Sequence, residues 1–294
     1  MLSEKDLNYI AKTCQTQLFQ AHNVVEMLSE GNTVPFISRY RKERTSNLDE
    51  LKVQQVKETF DYVKELNERK ETVLNTIESQ GKLTDELRKK IEETYSKTEL
   101  EDIYLPYKPK RRTKATIAKE KGLEPLALSI LDPAVTEAME ALAAPFVSEE
   151  KQVNSIEEAL EGAGHIIAEI FSENAGLRKL IREEVAEKGI LVVAVTKEFE
   201  KERTKFEQYY DFKEAVKTIP SHRILAIRRG EAEKVLKNHI DIDKELVQNK
   251  FRHTLFDNSH PRSQFLDEVL SDALSRLVLP SIEQDIQSEM KKKA

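Results

Sequence analysis

The sequence predicts a mainly α-helical protein: a helical bundle with helix-turn-helix elements and a long central helix. Glycine is scarce, with eight among 294 residues, while leucine, glutamate, lysine and alanine are abundant. This composition favours helices and leaves little room for a β-barrel or a glycine-rich nucleotide fold. Helix-capping patterns recur along the chain, and neither glycine nor proline interrupts residues 48–80.

The first third of the chain contains the clearest helix signals. Apolar residues recur near helical spacing through residues 3–30, which predicts two short helices, the second ending at Gly31. Pro35 falls in the first turn of the next helix, where its missing N–H costs little. Asn47, with Glu50 three residues later, resembles a capping box. It opens the long helix, which at about 1.5 Å per residue would measure about 45 Å.

Shorter helices are predicted to follow. Ser96 and Glu99 form a second capping-box pattern, and Pro106 ends the helix that it opens. Two helices, at about residues 114–121 and 125–131, meet at Gly122. Further helices are predicted at residues 155–173, at 175–188 and from 281 onwards.

Strands are predicted at only two places. Residues 190–196 are continuously apolar and rich in β-branched side chains, and residues 235–243 alternate more loosely. They would pair as one small β-ribbon; the alternative is that 190–196 continues the preceding helix. The predicted domains are a helical, helix-turn-helix-containing region of residues 1–189 and a smaller mixed region of residues 190–294. The second region would lead into domains that this chain does not contain.

Cysteine content and hydropathy indicate the cellular setting. Cys14 is the only cysteine, so no intramolecular disulfide and no cysteine-based zinc cluster can form. The N-terminal residues lack the pattern of a signal peptide, and no apolar run approaches the length needed to span a membrane. We therefore expect a cytoplasmic protein without a membrane partner.

The strongest functional signal is the segment of residues 104–122, YLPYKPKRRTKATIAKEKG. It carries seven basic residues and one acid, although the whole chain has a net charge of −6. Two prolines keep its first half out of regular helix, and tyrosines flank it. Such a segment suits the backbone of a nucleic acid, because Lys and Arg displace counterions and aromatic rings stack on bases. The predicted nucleic-acid-binding residues are Tyr107, Lys108, Lys110, Arg111, Arg112, Lys114 and Lys119.

Two alternatives accompany this prediction. The segment could be a solvated surface loop without a specific role, and charges held by carboxylates inside the fold would count against nucleic-acid binding. Residues 114–131 fit a helix-turn-helix spacing, but an ordinary helical hairpin fits as well. Residues 124–130, EPLALSI, offer no Arg, Asn or Gln to read base edges. We therefore expect contact with the backbone of RNA or DNA without base readout.

Other residue patterns indicate structural roles. Residues 34–44 contain four basic residues, and Asp49 and Glu50 follow closely, so we expect a local arginine–carboxylate pair to fix the turn. The six histidines are scattered, and no glycine-rich phosphate loop, zinc motif or calcium loop is present. We expect no catalytic residues, no metal site, no cofactor and no enzymatic activity.

Several long stretches of the sequence resemble one family. The Tex family of bacterial transcription accessory proteins, related to the eukaryotic Spt-class elongation factors, is similar to this chain from Leu28 to Leu236. The stretches are VPFISRYRKERTSNLDE (34–50), GKLTDEL (81–87), TELEDIYLPYKPKRRTKATIAKEKGLEPLA (98–127), KFEQYYDF (205–212) and IPSHRILAIRRGEAEKVL (219–236). One departure is Ser46-Asn47, where the family more often has glycine.

This resemblance implies a role in transcription and a longer protein. Tex proteins continue into a resolvase-like domain, helix-hairpin-helix modules and an OB-fold RNA-binding domain, so we expect this chain to be an N-terminal portion. Without the OB-fold, its affinity for RNA or DNA should be weak and independent of base sequence. The alternative function is a protein-interaction platform that docks RNA polymerase or the missing C-terminal domains, through the acidic residues 137–187 and the long helix.

Overall fold

The protein, as a computed structural model, is described over residues 2–110 and 112–293, with the backbone alone for Lys293. It consists of two compact units, Met1–Tyr107 (unit 1) and Lys108–Ala294 (unit 2). The boundary therefore differs from the one predicted after residue 189. The physical reason is that one apolar core runs from Ala115 to Met290 and joins residues on both sides of that position.

Unit 1 is helical. Its helices are α1 (Glu4–Cys14), α2 (Leu18–Ser29), α3 (Val34–Tyr40), α4 (Lys42–Thr45), α5 (Glu50–Ser79), α6 (Asp85–Glu93) and α7 (Lys97–Tyr104), followed by a 3₁₀ turn, Leu105–Tyr107. Helices α1, α2 and α3 pack against α5 and bury a shared apolar cluster. The long central helix that the uninterrupted sequence predicts is confirmed as α5, which spans 30 residues.

The start of α5 differs from the predicted capping box. The cap is Asp49, whose carboxylate accepts a hydrogen bond of 2.7 Å from the backbone N–H of Lys52. Asn47 instead lies in the left-handed region with φ of 62°, and Ser46 precedes it with φ of 47°. Both residues thus adopt the left-handed conformation that glycine adopts most easily.

Unit 2 surrounds a central helix. Its helices are α8 (Lys114–Glu120), α9 (Glu124–Leu131), α10 (Met139–Ala143), α11 (Ile156–Ser172), α12 (Ala175–Lys188), α13 (Ser221–Ala232), α14 (Lys244–Phe251), α15 (Ser263–Ala273) and α16 (Leu279–Lys293). Short 3₁₀ turns cover Ala144–Phe146, Glu207–Tyr209 and Arg252–Thr254, and a π-helical turn, Leu274–Val278, joins α15 to α16. Helix α11 packs against α8, α9, α10 and α15.

A small antiparallel sheet completes unit 2. Its strands are β1 (Ile190–Val195), β2 (Asp211–Ala215) and β3 (Leu236–Asp241), in the order β2-β1-β3. The predicted ribbon of β1 with β3 is confirmed, with Leu191 opposite Ile240. Strand β2 was not predicted, because its sequence, DFKEA, shows little of the apolar alternation that marks a strand.

Helix α16 meets the outer edge of the sheet. The backbone N–H of Ile240 in β3 donates a hydrogen bond of 2.8 Å to the carboxylate of Glu283. The side-chain amide of Gln287, one turn further along α16, donates to Oδ1 of Asn238 at 2.9 Å and to Glu283 at 3.1 Å. Two residues of β3 are thus bonded to side chains of one helix.

Within the described residues, no helix is long and apolar enough to cross a membrane. The same part of the chain contains no cluster of three or more His, Cys, Asp or Glu residues that could hold a metal ion.

Candidate nucleic-acid interface

The predicted basic segment, residues 104–122, crosses the boundary between the two units. Tyr107 is the last residue of unit 1 and ends its 3₁₀ turn, where its carbonyl oxygen accepts a hydrogen bond of 2.9 Å from Gln80. Lys108 is the first residue of unit 2. Tyr107 therefore belongs to a different compact unit from the basic residues with which it was predicted to act. Arg111 lies outside the described residues.

Lys110 pairs with two largely buried carboxylates of unit 2, and its own side chain is 23% exposed. Its Nζ lies 3.1 Å from a carboxylate oxygen of Glu169 and 2.5 Å from one of Glu173. The side chains of these two acids are only 10% and 15% exposed. Burial alone would lower the pKa of Lys110, but the hydrogen bonds to Glu173 and Glu169 outweigh it and raise that pKa. Lys110 thus stays charged and holds the start of the segment against α11.

Lys119 reaches the same carboxylate from α8. Its Nζ lies 3.2 Å from Glu169, and the hydroxyl of Thr113 donates to the other oxygen of Glu169 at 3.3 Å. Burial would raise the pKa of Glu169, but the hydrogen bonds and charges of Lys110 and Lys119 hold it below its ordinary value. For Glu173 burial prevails and raises the pKa, although Lys110 opposes the shift.

Glu169 and Glu173 therefore tie the basic segment to the core of unit 2. The two acids lie four residues apart, one near the C-terminal end of α11 and the other just beyond it. Lys110 and Lys119 are neutralised by carboxylates inside the fold, which is the arrangement that counts against a role in nucleic-acid binding. Of the seven predicted residues, these two have a structural role.

The other basic residues of the segment project outward. Lys108, Arg112 and Lys114 are exposed. Arg112 lies 3.4 Å from Glu120, but both side chains are well exposed, at 72% and 62%, so the pair contributes little to stability. In the described part of the chain, no carboxylate forms an ion pair with Lys108 or Lys114.

The charge of Lys114 acts on a neighbouring helix. Burial lowers the pKa of His165 on α11, and the positive charge of Lys114 lowers it further. This neighbourhood favours the neutral imidazole, so His165 adds no charge to the basic surface near neutral pH.

The turn between α8 and α9 gathers two further lysines. Gly122 at this turn has φ of +80°, and a Cβ placed there would lie 3.1 Å from Nζ of Lys151. Lys121 donates from Nζ to the backbone carbonyl of Gln152 at 2.7 Å. A short hairpin, closed by two hydrogen bonds between Ser148 and Val153, brings Lys151 to this place.

Lys151 is an exposed member of this surface that the sequence did not single out. It lies within the acidic residues 137–187, where the average charge hides a single lysine. The available signal was the rarity of basic residues in this region: residues 137–187 contain twelve acids and only four basic residues, one of which is Lys151.

Three residues join α8 to α9, and Gly122 is the middle one. The two helices and the turn at Gly122 agree with the prediction. The exposed positions of α9 include Glu124, Pro125 and Leu128, none of which can donate hydrogen bonds to base edges from its side chain. Function as a DNA-binding helix-turn-helix motif stays a prediction.

In unit 1, the structure corrects one prediction about the basic residues 34–44. Asp49 caps α5 and forms no ion pair with these residues among those described, and neither does Glu50. Instead, Arg44 pairs with Glu26 of α2, with 2.6 Å between Nη2 and Oε2.

Comparison with known proteins places the chain in a family. The Tex-like protein N-terminal domain model matches residues 4–78, and the Tex central region-like model matches residues 134–294. The uncharacterised protein YdcI of Bacillus subtilis (strain 168) is 42% identical over 295 residues, which cover 97% of this chain and 40% of that protein.

Two further relatives carry informative names. Transcriptional accessory protein Tex of Neisseria gonorrhoeae is 46% identical over 217 residues, covering 74% of this chain and 28% of that protein. S1 RNA-binding domain-containing protein 1 of Homo sapiens is 27% identical over 282 residues, covering 91% of this chain and 28% of that protein. The chain thus spans less than half the length of each of these relatives. Because the central-region model alone matches more than half of the residues, this chain belongs to the Tex family.

Proposed function

We propose that this chain is a nucleic-acid-binding scaffold of a transcription accessory protein, and that it contacts the backbone of RNA or DNA without reading bases. The names of two relatives support this proposal, since one is a transcriptional accessory protein and another an S1 RNA-binding domain-containing protein. The matched region covers only 28% of the length of each of these two relatives. Any activity of a whole relative is therefore only proposed for this chain.

The observation that carries the proposal is the set of outward cations around α8. Lys108, Arg112 and Lys114 precede or open this helix, and Lys121 and Lys151 lie at its other end. With seven residues, α8 separates the two groups by about 10 Å along its axis. Positive charges spread over this distance can contact successive phosphates of one strand, and each contact releases counterions.

The inward lysines make this surface rigid. Lys110 and Lys119 anchor both ends of the region 110–119 on Glu169, so the backbone that carries Arg112 and Lys114 is held in place. A fixed arrangement loses less conformational entropy on binding than free lysine side chains on a flexible loop.

The salt dependence of binding to a labelled oligonucleotide tests the proposal. Alanine at Lys108, Arg112 and Lys114 together should weaken binding and reduce the slope of log K against log salt by about 2–3, because each lost phosphate contact removes roughly one released counterion. The matched control replaces Lys82, Lys89 and Lys90, which are exposed lysines of unit 1, and loses the same charge. Equal slopes for the two triple variants would refute the proposed site.

The second candidate function is a protein-interaction platform for RNA polymerase or for further domains of the same protein. Leu128 on α9 favours it, since this large apolar side chain is 56% exposed. Leu128→Ser should then reduce co-purification with core polymerase from nuclease-treated lysate, while the basic triple variant should not. If the unmodified chain does not co-purify with core polymerase, RNA polymerase is excluded as the partner.

We also propose that the chain has no catalytic activity and no cofactor. Metal-dependent cleavage of the labelled oligonucleotide, abolished by a chelator, would contradict this part of the proposal.

A further inference from the structure

Unit 1 carries a second basic surface, formed by Arg39, Tyr40, Arg41 and Lys42 at the junction of α3 and α4. All four residues are exposed, and the tyrosine ring stands out because its residue is 65% exposed. Phe36, one turn earlier on α3, lies beneath it with 5.5 Å between ring centroids. We call these four residues the Arg39–Lys42 surface.

The backbone beneath this surface is firmly anchored. Arg41 breaks the helix with φ of −129°, so that α3 ends at Tyr40 and α4 begins at Lys42. Thr45 at the end of α4 is fully buried. Two side chains of α2 fix this end, since Asn23 donates to the carbonyl of Arg44 at 2.7 Å and Gln20 to that of Thr45 at 2.9 Å.

The three cations of the surface lack carboxylate partners within the described part of the chain. The guanidinium carbon of Arg41 lies 5.2 Å from the centroid of the Phe36 ring, and Nη1 of Arg41 reaches only its neighbour's carbonyl at 3.4 Å. By contrast, Arg44 next to them is engaged by Glu26. A cation–π contact orients the arginine while leaving its charge available.

An exposed ring between cations suits one kind of ligand best. Single-stranded nucleic acid offers both unpaired bases, which stack on an aromatic side chain, and phosphates, which bind Arg and Lys. In a duplex the bases are already stacked on each other, so an exposed ring would gain nothing from it. The carboxylates of an acidic protein segment could pair with the cations, but such a segment does not carry an aromatic ring at every residue to stack on Tyr40.

We propose that the Arg39–Lys42 surface binds single-stranded nucleic acid, with one base stacked on Tyr40 and adjacent phosphates held by Arg39, Arg41 and Lys42. This site shares no residue with the basic segment of unit 2. It can therefore be correct whether or not the surface around α8 binds.

The absence of tryptophan from the sequence allows a direct test of stacking. Tyr40→Trp introduces the only indole, whose fluorescence should be quenched in a saturable manner by a short oligo(dT) or oligo(U). The two oligonucleotides also show whether the surface prefers DNA or RNA. The matched control is Phe19→Trp, at another exposed aromatic residue of unit 1 (45% exposed), which should not be quenched.

Affinity measurements complete the test. Tyr40→Ala should weaken binding of the single strand about tenfold, Tyr40→Phe should leave it nearly unchanged, and binding of a duplex should not respond to either. Because the side chain is exposed, the thermal midpoint of all variants should match that of the unmodified chain. Replacing Arg39 and Arg41 by alanine should reduce the salt slope for the single strand by about 1.4, since each phosphate contact on a single strand accounts for about 0.7.

Two outcomes would overturn the proposal. One is an absence of quenching together with unchanged affinity of Tyr40→Ala, which would leave an acidic protein as the remaining occupant. The other is an equal loss of single-strand and duplex binding, which would show that the ring does not stack. The triple variant of Lys108, Arg112 and Lys114 is measured in parallel; it should keep the quenching, so failure at one surface is distinguished from failure at the other.

Discussion

Lys110→Ala should destabilise unit 2, and the loss should depend on pH. The substitution removes the ammonium that lies 3.1 Å from Glu169 and 2.5 Å from Glu173. Glu169 keeps Lys119 at 3.2 Å. Glu173, with a side chain only 15% exposed, keeps no other ion pair in the part of the chain that the structure describes. The variant therefore contains one largely buried carboxylate that has lost its ion-pair partner.

Protonation of Glu173 limits the size of this effect. Burial already raises its pKa in the folded state, and removal of Lys110 raises that pKa further. The penalty of an ionised carboxylate cannot exceed the cost of protonating it, about 1.4 kcal/mol per pH unit above its ordinary pKa of 4.5. The limit is about 3.4 kcal/mol at about pH 7 and about 0.7 kcal/mol at about pH 5.

We therefore expect Lys110→Ala to lower the free energy of unfolding by about 2–3 kcal/mol near pH 7 and by about 0.5 kcal/mol near pH 5. The sign follows from the raised pKa: the penalty is fully present above the folded-state pKa, shrinks as the pH falls below that value, and is gone below the ordinary pKa. Urea unfolding, followed by circular dichroism at both pH values, measures the difference. Amide hydrogen exchange in α8 and α11 assigns the change to unit 2.

The matched control is Lys108→Ala, which removes the same charge from an exposed residue outside the buried cluster. It should alter the free energy of unfolding by less than about 0.5 kcal/mol at either pH. Equal stabilities of the two variants near pH 7 would refute the structural role of Lys110. A loss that did not change with pH would refute the part assigned to Glu173.

Two further substitutions test the packing of each unit. Gly162→Ala on α11 should lower stability by about 1–2 kcal/mol, because its Cβ would lie 2.3 Å from Cδ1 of the buried Leu123 and the overpacking outweighs the better helix propensity of alanine; an unchanged or higher thermal midpoint would contradict this. Asp6→Asn should destabilise unit 1 by about 1–2 kcal/mol near neutral pH. Burial would raise the pKa of Asp6, but hydrogen bonds from Ser3, Tyr95 and Asn67 outweigh it and lower that pKa. The stability from Asp6 is thus present above its ordinary pKa and is lost as the pH falls through the folded-state value; urea unfolding should show the two proteins converge in acid.

The helices were predictable from the sequence because their signals are local. The uninterrupted residues 48–80 and the glycine at position 81 determine α5, whose end at Ser79 lies within two residues of the predicted stop. The β-branched run of β1 was readable for the same reason. Strand β2 was not, because DFKEA becomes a strand only by pairing with β1, so its conformation depends on a contact between distant segments.

The candidate site was only partly predictable. The excess of basic residues at 108–121 is visible in the sequence, but which of them face outward depends on Glu169 and Glu173, more than 40 residues away. The four-residue spacing of these two acids near the end of an amphipathic helix was the available signal, and it did not indicate which bases they engage. In unit 1, the small separation in sequence between Arg39 and Asp49 suggested an ion pair. The carboxylate of Asp49 instead caps α5 by accepting a hydrogen bond from the backbone N–H of Lys52.

The bond between Ile240 and Glu283 has a consequence for self-association. The outer strand of a sheet presents unpaired amides on which a strand from another molecule can add, and this is a common route to domain swapping and aggregation. Here a carboxylate from α16 already occupies one of these donors, and Gln287 binds the side chain two residues earlier. Loss of α16 would therefore convert β3 into a template for intermolecular pairing, a hazard distinct from any loss of core packing.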